Sequence, residues 1–390
     1  MSTASPSPRP GITRRNALKT GIGLAVGTGV LANATPAVAV AGASLCDRPG
    51  DSASHWGVGS SDLAIPYYRE HDGNWGYVFG DSWTGIQQYG DYIGSPVMLT
   101  QARFDPTGAT PITFTGTQPA SGPAGQLFDY VPRSNNGHGY EVSRIPNDCI
   151  EFGGRTYIQY TSVATWTPPS GYDGSLMSGV AYSDDYGATW YDYPYHWAGD
   201  TQGNNQSMYG MWSFAGIDDG WLYIFSKRWN GSHRNTADGG AIQLFRIRPD
   251  DFRAGNFGAQ ENWAYLNSAW QWTGSVPPSP ILSGNSIGEF SVKRIGSTYC
   301  MSYFDVSDYS IRTRTADRPD AVWTSPKTQI VGDNTWPIGH WGKPQVANLY
   351  GGYIHPGSAD PSSLTLIVSQ WDGKEHSAPY WALQYDGIRP

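Results

Sequence analysis

Gly76-Tyr77-Val78-Phe79-Gly80-Asp81-Ser82-Trp83 is a short run of alternating aromatic and aliphatic residues that ends in an acid and a tryptophan. Alternation with period two marks a strand whose side chains point to opposite faces in turn. Similar runs recur at Thr156-Tyr157-Ile158-Gln159-Tyr160, Trp221-Leu222-Tyr223-Ile224-Phe225, Thr298-Tyr299-Cys300-Met301-Ser302-Tyr303 and Leu364-Thr365-Leu366-Ile367-Val368. Each is followed by a second strand-like run, at 96–99, 178–182, 241–245, 310–313 and 381–385. A glycine-containing turn precedes each first run: Asp72-Gly73, Gly153-Gly154, Asp219-Gly220, Gly296-Ser297 and the looser stretch 357–361. This turn–strand–loop–strand phrase recurs every 65–80 residues or so, which predicts small antiparallel sheets repeated around an axis. The fold class expected is therefore all-β, a single-domain, five-bladed β-propeller. A β-sandwich also holds many short strands, but nothing in it requires the same phrase five times.

Composition points the same way. The chain of 390 residues carries 49 Gly, 28 Pro, 17 Trp and 25 Tyr, while only 15% of residues are charged. Such a balance suits short twisted strands and many turns rather than amphipathic helices. Ser183-Asp184-Asp185-Tyr186-Gly187-Ala188-Thr189-Trp190 resembles the Asp-box of sialidase-type propellers, in which side chains satisfy a hairpin turn. The box is a structural device and carries no catalysis.

The chain opens on an export address. Thr13-Arg14-Arg15-Asn16-Ala17-Leu18-Lys19 is a twin-arginine pattern, followed by a mildly apolar stretch over 21–31 and small residues at Ala37-Val38-Ala39 and Ala39-Val40-Ala41. That stretch is too short to span a bilayer, which takes about 20 residues. Residues 1–41 are read as a twin-arginine signal peptide and 45–390 as the propeller domain. Loss of 1–41 removes Arg9, Arg14, Arg15 and Lys19 and no acid, so the formal charge moves from −8 to −12. An acidic exported protein with no basic run excludes nucleic acid and membrane insertion of the mature form, and a monomer is expected. Three cysteines, Cys46, Cys149 and Cys300, do not make a disulfide scaffold, although a Cys149–Cys300 bridge is left open. No metal or nucleotide motif is present, so no cofactor is expected beyond a structural ion that the channel could hold.

Two acids frame the first hairpin. The midpoint of Asp62 and Asp81 falls on the turn His71-Asp72-Gly73-Asn74, so simple antiparallel register brings their carboxylates together at the open end. Glycoside cleavage needs such a pair, one to protonate the leaving oxygen and one to activate water or attack. If inner strands begin near Asp62, Asp148, Ser213, Glu289 and His355, they share one channel mouth with returning strands that end near Asp81, Thr161, Arg228, Tyr303 and Gln370. Asp62 and Asp81 are the catalytic candidates. Trp83, Asp148, Arg228, Glu289, His355 and Gln370 are the substrate-binding candidates, with Trp83 as a stacking platform. Taken singly, each has a plainer reading as a turn cap, a strand-end acid or a core histidine.

Phe79-Gly80-Asp81-Ser82-Trp83, Gly288-Glu289-Phe290-Ser291-Val292, Tyr350-Gly351-Gly352-Tyr353-Ile354-His355-Pro356 and Ser369-Gln370-Trp371 together resemble an actinobacterial family. It was once a domain of unknown function and is now glycoside hydrolase family 183, the endo-D-arabinanases. The resemblance spans essentially the whole mature chain, except that 91–143 does not align. It implies a five-bladed propeller that hydrolyses internal α-D-arabinofuranosidic linkages of mycobacterial arabinogalactan and lipoarabinomannan. It also implies an inverting mechanism run by two N-terminal acids spaced as Asp62 and Asp81 are, with Asp62 assigned as base and Asp81 as acid. Two rivals remain at this level: a furanosidase of the same fold acting on another arabinan, and a non-catalytic sugar-binding propeller.

Overall fold

The computed structural model describes residues 43–46, 50–108, 110–120, 122–129, 141–166, 168, 173–199, 205–229, 240–283, 287–333, 346–347, 349–370 and 379–390. The signal-peptide reading of 1–41 and Trp371 lie outside them. The architecture is all-β. Among the described residues there are five larger sheets that follow one another along the chain, a small three-stranded sheet of Ser60–Ser61, Ser82–Trp83 and Tyr92–Gly94 beside the first, and one α-helix, Pro249–Ala254.

The first sheet runs Ile65–Tyr68, Trp75–Phe79, Val97–Gln101, Gly116–Gln118, and the second Ser143–Phe152, Arg155–Val163, Ser175–Ser183, Tyr191–Asp192. The third comprises Met211–Asp218, Trp221–Lys227, Gln243–Ile247, Glu261–Leu266 and Ala269–Thr273. The fourth comprises Ile287–Ile295, Thr298–Asp305, Ser310–Ala316, Lys327–Asp333 and a parallel Val346–Ala347. In the fifth, Leu349–Ile354, Leu364–Gln370 and Trp381–Ile388 are completed by Ala43–Ser44, which pairs with Gln384 and Leu383. The five alternating runs of the sequence are thus the second strands of the five sheets, and the runs that follow them are the third strands.

The first strands of successive sheets pack against one another in chain order, and that of the fifth lies against that of the first. They are buried over most of their length: every residue of Leu349–Ile354 is buried, as is all of Ser143–Phe152 except Ile150, while Tyr68, Ile217 and Arg294 are exposed near the ends of the other three. Between the second and third sheets the filling is aromatic, with Phe152, Tyr157, Trp212, Phe214, Phe245, Phe252 and Phe257 in one cluster. Such rings pack edge to face, as Tyr157 does on Phe252 at 5.0 Å and 76°.

The Asp-box forms as its residues require. Ser183 Oγ accepts from Gly187 N at 2.7 Å and donates to Asp185, whose carboxylate also takes Thr189 N and Thr189 Oγ1 at 2.7 and 2.6 Å. Desolvation is the largest single influence and pushes Asp185 up, but the hydrogen bonds from Thr189 and Ser183 together outweigh it and hold the carboxyl below its ordinary range. The cysteine bridge left open by the sequence does not form: Cys46, Cys149 and Cys300 are buried free thiols.

Two inner-strand starts differ from the sequence reading. The second sheet's first strand begins at Ser143, five residues before Asp148, and the fifth sheet's begins at Leu349, with His355 just past its end. Pro146-Asn147 and Gly351-Gly352 look like turns in sequence; in the structure they sit at register shifts within strands.

The amino-terminal strand carries Leu45 and Cys46, both fully buried, into the fifth sheet. Leu45→Ala should destabilise the domain by about 2–5 kcal/mol. Urea unfolding followed by tryptophan fluorescence checks this; an unchanged midpoint would mean that the strand is not docked.

Candidate active site

Ser61 pairs with Ser82 and Ile65 pairs with Val78, in one common register. Between these pairs lie three residues on each chain, Asp62-Leu63-Ala64 and Phe79-Gly80-Asp81. Asp62 therefore stands opposite Asp81, as the spacing about the Asp72-Gly73 turn predicts. Regular pairing breaks here because Leu63 and Ala64 are both left-handed, at φ 66° and 50°, and both fully buried. Non-glycine residues in this region cost roughly 1–3 kcal/mol each and persist where the surroundings impose them. The imposing bonds are visible: Asp62 O accepts from Ala64 N and Gly80 N, and Leu63 N donates to Ser369 Oγ of the fifth sheet at 2.9 Å.

Both carboxylates are withdrawn from solvent, Asp62 at 0% and Asp81 at 2% exposure. Tyr350 OH donates to Asp62 Oδ2 at 2.6 Å, tying the first sheet to the fifth. Asp81 Oδ1 accepts from Tyr92 OH at 2.8 Å and from Ser143 Oγ at 3.0 Å, tying it to the second. Gly80 leaves the space for this packing: a Cβ there would lie 2.2 Å from Asp62 Oδ1. Hydroxyl donors on buried carboxylates fix their direction.

The remaining candidates separate into two groups. Glu289 lies within a bulge between Ile287 and Phe290 and is 6% exposed, at the strand-start end that also holds Asp62. Gln370 pairs with Leu349 at that end and its Oε1 accepts from Trp381 Nε1 at 2.7 Å. Arg228 follows directly on the strand Trp221–Lys227 and is partly buried. Trp83 is at the same end but cannot serve as an open stacking platform. It is 7% exposed, with Tyr380 edge-on at 5.3 Å and Tyr92 tilted at 5.1 Å, so it backs the site rather than faces it.

Asp148 and His355 belong elsewhere. Asp148 sits about 16 Å along its strand from Ser143, at about 3.3 Å per residue. Its Oδ2 accepts from Lys293 Nζ at 2.6 Å, Ser213 Oγ at 2.8 Å and Phe214 N at 2.8 Å, and its Oδ1 from Cys149 N at 2.8 Å. That carboxylate is consumed in joining three sheets. Lys293, Phe214 and Cys149 border a separate cavity of about 450 Å³ at the far end, reached also by Pro356. His355 is fully buried and stacks on Phe104 at 3.5 Å. Its Nδ1 accepts from Gly357 N at 3.0 Å, so Nε2 carries the proton and faces the oxygen of Tyr77 at 3.0 Å. It is a satisfied core histidine, and burial pushes its pKa well below the ordinary value.

Sequence reasoning passed over Tyr350, Tyr92 and Ser143, which hold the two acids. Tyr350 stood in a quoted motif, but nothing in that motif set it apart from its neighbours. Nothing local marks Tyr92 or Ser143, which reach Asp81 only through folding. Among the described residues no group of three or more His, Cys, Asp or Glu side chains converges as a metal site needs.

Comparison with known proteins gives the family and similar folds. A family model described as "Domain of unknown function (DUF4185)" matches residues 47–386. The chain is 32% identical over 334 residues to "Notoamide biosynthesis cluster protein J" of Aspergillus sp. (strain MF297-2), covering 82% of each. It is 24% identical over 351 residues to a Mycolicibacterium smegmatis protein described as an uncharacterized 35.9 kDa protein in the asd 3′ region, covering 86% of this chain and 94% of that one. Among solved structures it is similar in fold to a putative hydrolase from Bacteroides ovatus, at TM-score 0.58 and 12% identity over 85% of this chain and 86% of that one.

Two outcomes follow from the geometry. Gly80→Ala should push the Asp62 carboxylate aside and, if the pair is catalytic, lower turnover at least tenfold, about 1.4 kcal/mol in barrier; steady-state rates beside an unchanged melting temperature check it. His355 is neutral when folded, while the unfolded chain binds a proton below its ordinary value of about 6.5. Its contribution is therefore complete above that pH and is lost as pH falls through it. His355→Gln should flatten the decline in unfolding free energy between pH 6.5 and 5, measured by urea titration at each pH.

Proposed function

The chain belongs to the DUF4185 family, and on that footing we propose that it is a secreted endo-D-arabinanase of the glycoside hydrolase family 183 type. Its substrate in this reading is the internal α-D-arabinofuranosidic linkage of mycobacterial-type arabinogalactan and lipoarabinomannan. The five sheets are the blades of one five-bladed β-propeller spanning 45–390, exported through the twin-arginine leader at 1–41 and acting as a monomer at the cell wall or outside the cell. The cyclic packing of first strands and the completion of the fifth sheet by Ala43–Ser44 support the blade count.

One observation carries the reading. Asp62 and Asp81 face each other across an interrupted hairpin, buried and held by the hydroxyls of Tyr350, Tyr92 and Ser143 from three other sheets. Hydrolysis with inversion needs one carboxylate to draw a proton from water and one carboxylic acid to protonate the departing oxygen. Asp62 is assigned the base and Asp81 the acid. Glu289, Arg228 and Gln370 at the same end supply charge and hydrogen bonds for furanose hydroxyls. Tyr89 and Tyr92, exposed at 52% and 41%, are the aromatic faces available to a sugar ring there, in place of Trp83. Asp148 and His355 take no part.

A second reading draws on the Aspergillus relative, whose name assigns it to a notoamide biosynthesis cluster. It gives the same pocket a small-molecule substrate rather than a polymer. Purified wild type, Asp62→Asn and Asp81→Asn incubated with mycobacterial arabinogalactan, and in parallel with L-arabinan, separate the cases. Wild type should release arabino-oligosaccharides from the first polymer, and each variant should lose at least about a hundredfold in rate. Release from L-arabinan instead identifies a different furanosidase. Binding without new reducing ends identifies a lectin, and inertness towards both polymers favours the small-molecule reading.

A further inference from the structure

A cleft of about 400 Å³ opens on the flank of the domain, where the first and second sheets meet. One wall is the segment 127–129, which runs beside the first sheet's third strand: Gln126 bridges to Val97, and Leu127 N donates to Pro96 O at 2.9 Å. The other wall is 189–192, where the Asp-box leads into the fourth strand of the second sheet. Arg144, 4% exposed, forms the floor. Its Nε donates to Glu141 Oε1 at 3.1 Å and its Nη1 to Asp192 Oδ2 at 2.8 Å, while the guanidinium lies 4.7 Å from the centre of the Tyr160 ring. Among the described residues its Nη2 makes no hydrogen bond. Trp190 borders the same cleft and is half-buried, with Nε1 donating to Gly187 O at 3.1 Å and its ring tilted against Phe128 at 5.8 Å.

The chemistry of these walls narrows the ligand. Arg144 is matched by Glu141 and Asp192, and Asp129 at the rim is a further exposed acid, so an anion finds no net positive charge here. A metal ion finds no group of three acid, His or Cys side chains among the described residues. A cationic peptide has to compete with Arg144 for Asp192. What the cleft offers is an indole face, a guanidinium donor and carboxylate acceptors. A saccharide matches that set, since its C–H faces stack on aromatic rings and its hydroxyls both donate and accept. The volume lies in the range of roughly 300–1,000 Å³ usual for small-ligand sites. The Asp-box also sets the wall in advance: Asp185 takes Thr189 N and Thr189 Oγ1 at 2.7 and 2.6 Å, and the indole is tied to Gly187. Little ordering is left for a ligand to impose.

We propose that this cleft is an accessory saccharide-binding site, in which Trp190 stacks on a sugar ring while Arg144 and Asp192 hydrogen-bond its hydroxyls. It holds a polysaccharide chain on the flank of the domain, outside the Asp62–Asp81 site. Arg144 follows directly on Ser143, the donor to Asp81, so the floor of the cleft and one support of the candidate site belong to the same strand. That the chain is D-arabinan rests on the proposed function; the saccharide site itself does not.

The test uses the full mature chain carrying Asp62→Asn, so that binding is read without turnover, with mycobacterial arabinogalactan, L-arabinan and polylysine as probes. Hydroxyl-radical footprinting read by mass spectrometry should show Trp190 protected from oxidation by a polysaccharide and not by polylysine. In affinity electrophoresis Trp190→Ala, added to the same chain, should weaken binding about tenfold, the worth of one stacking contact. Trp190→Phe keeps a ring and should retain most of the affinity. Footprinting needs no change in the cleft, so it decides the matter even if Trp190→Ala does not fold. Trp190 left unprotected by both polysaccharides, or a folded Trp190→Ala chain that binds like its parent, overturns the proposal. Protection by polylysine alone overturns it too and assigns the cleft to a cationic peptide. Trp190 protected by either polysaccharide while wild type cleaves neither leaves the saccharide site standing and ends the arabinanase reading. Release of arabino-oligosaccharides by wild type with Trp190 unprotected does the reverse.

Discussion

Burial of each sheet's first strand over most of its length is the constraint from which the rest of the structure follows. A strand so enclosed must place its buried polar side chains against partners, because an unmatched buried polar group costs far more than its hydrogen bond returns. The partners come from neighbouring sheets. Asp148 of the second sheet is held by Lys293 of the fourth and by Ser213 and Phe214 of the third. Ser291 of the fourth accepts from Ile354 of the fifth. These bonds join sheets that share little sequence, and they set the level of each strand relative to the next.

The same constraint produces the candidate site. At the strand-start end the buried side chains include Asp62 and Asp81, and hydroxyls of Tyr350, Tyr92 and Ser143 hold them in direction. The backbone bends to allow it: two consecutive left-handed residues, Leu63 and Ala64, interrupt a hairpin that is otherwise in register on both sides. Strain of this sort, at a paired acid and under a glycine that leaves no room for a Cβ, is characteristic of places where geometry serves chemistry. The far end of the same strands is charge-balanced and quiet, with Asp148 neutralised and His355 enclosed by Phe104, Trp75 and Tyr77.

Local pattern made much of this legible. Period-two alternation located the second and third strands of all five sheets, because those strands keep a regular rhythm between glycine turns. The Asp62–Asp81 pairing was legible for the same reason: hairpin register depends only on turn position and side-chain period. The reading failed where rhythm and turn chemistry disagree. Pro146-Asn147 and Gly351-Gly352 carry turn residues inside strands, so the starts of two first strands were placed five or six residues late. Asp148 and His355 were thereby carried to the wrong end. Trp83 failed differently, since a tryptophan beside an acid looks the same in sequence whether it faces a ligand or, as here, Tyr380 and Tyr92.

By itself, then, the sequence determined the all-β class, the five-fold strand phrase, the Asp-box turn and the opposition of two acids across the first hairpin. Each of these is written within about twenty residues, where turn chemistry and side-chain period suffice. Only the tertiary structure decided which donors hold those acids, that Trp83 lies beneath them and that Asp148 is spent on Lys293. Apart from Tyr92, 11 positions from Asp81, the residues these bonds join lie 62 to 288 positions apart. They exist only once neighbouring sheets have buried one another's first strands.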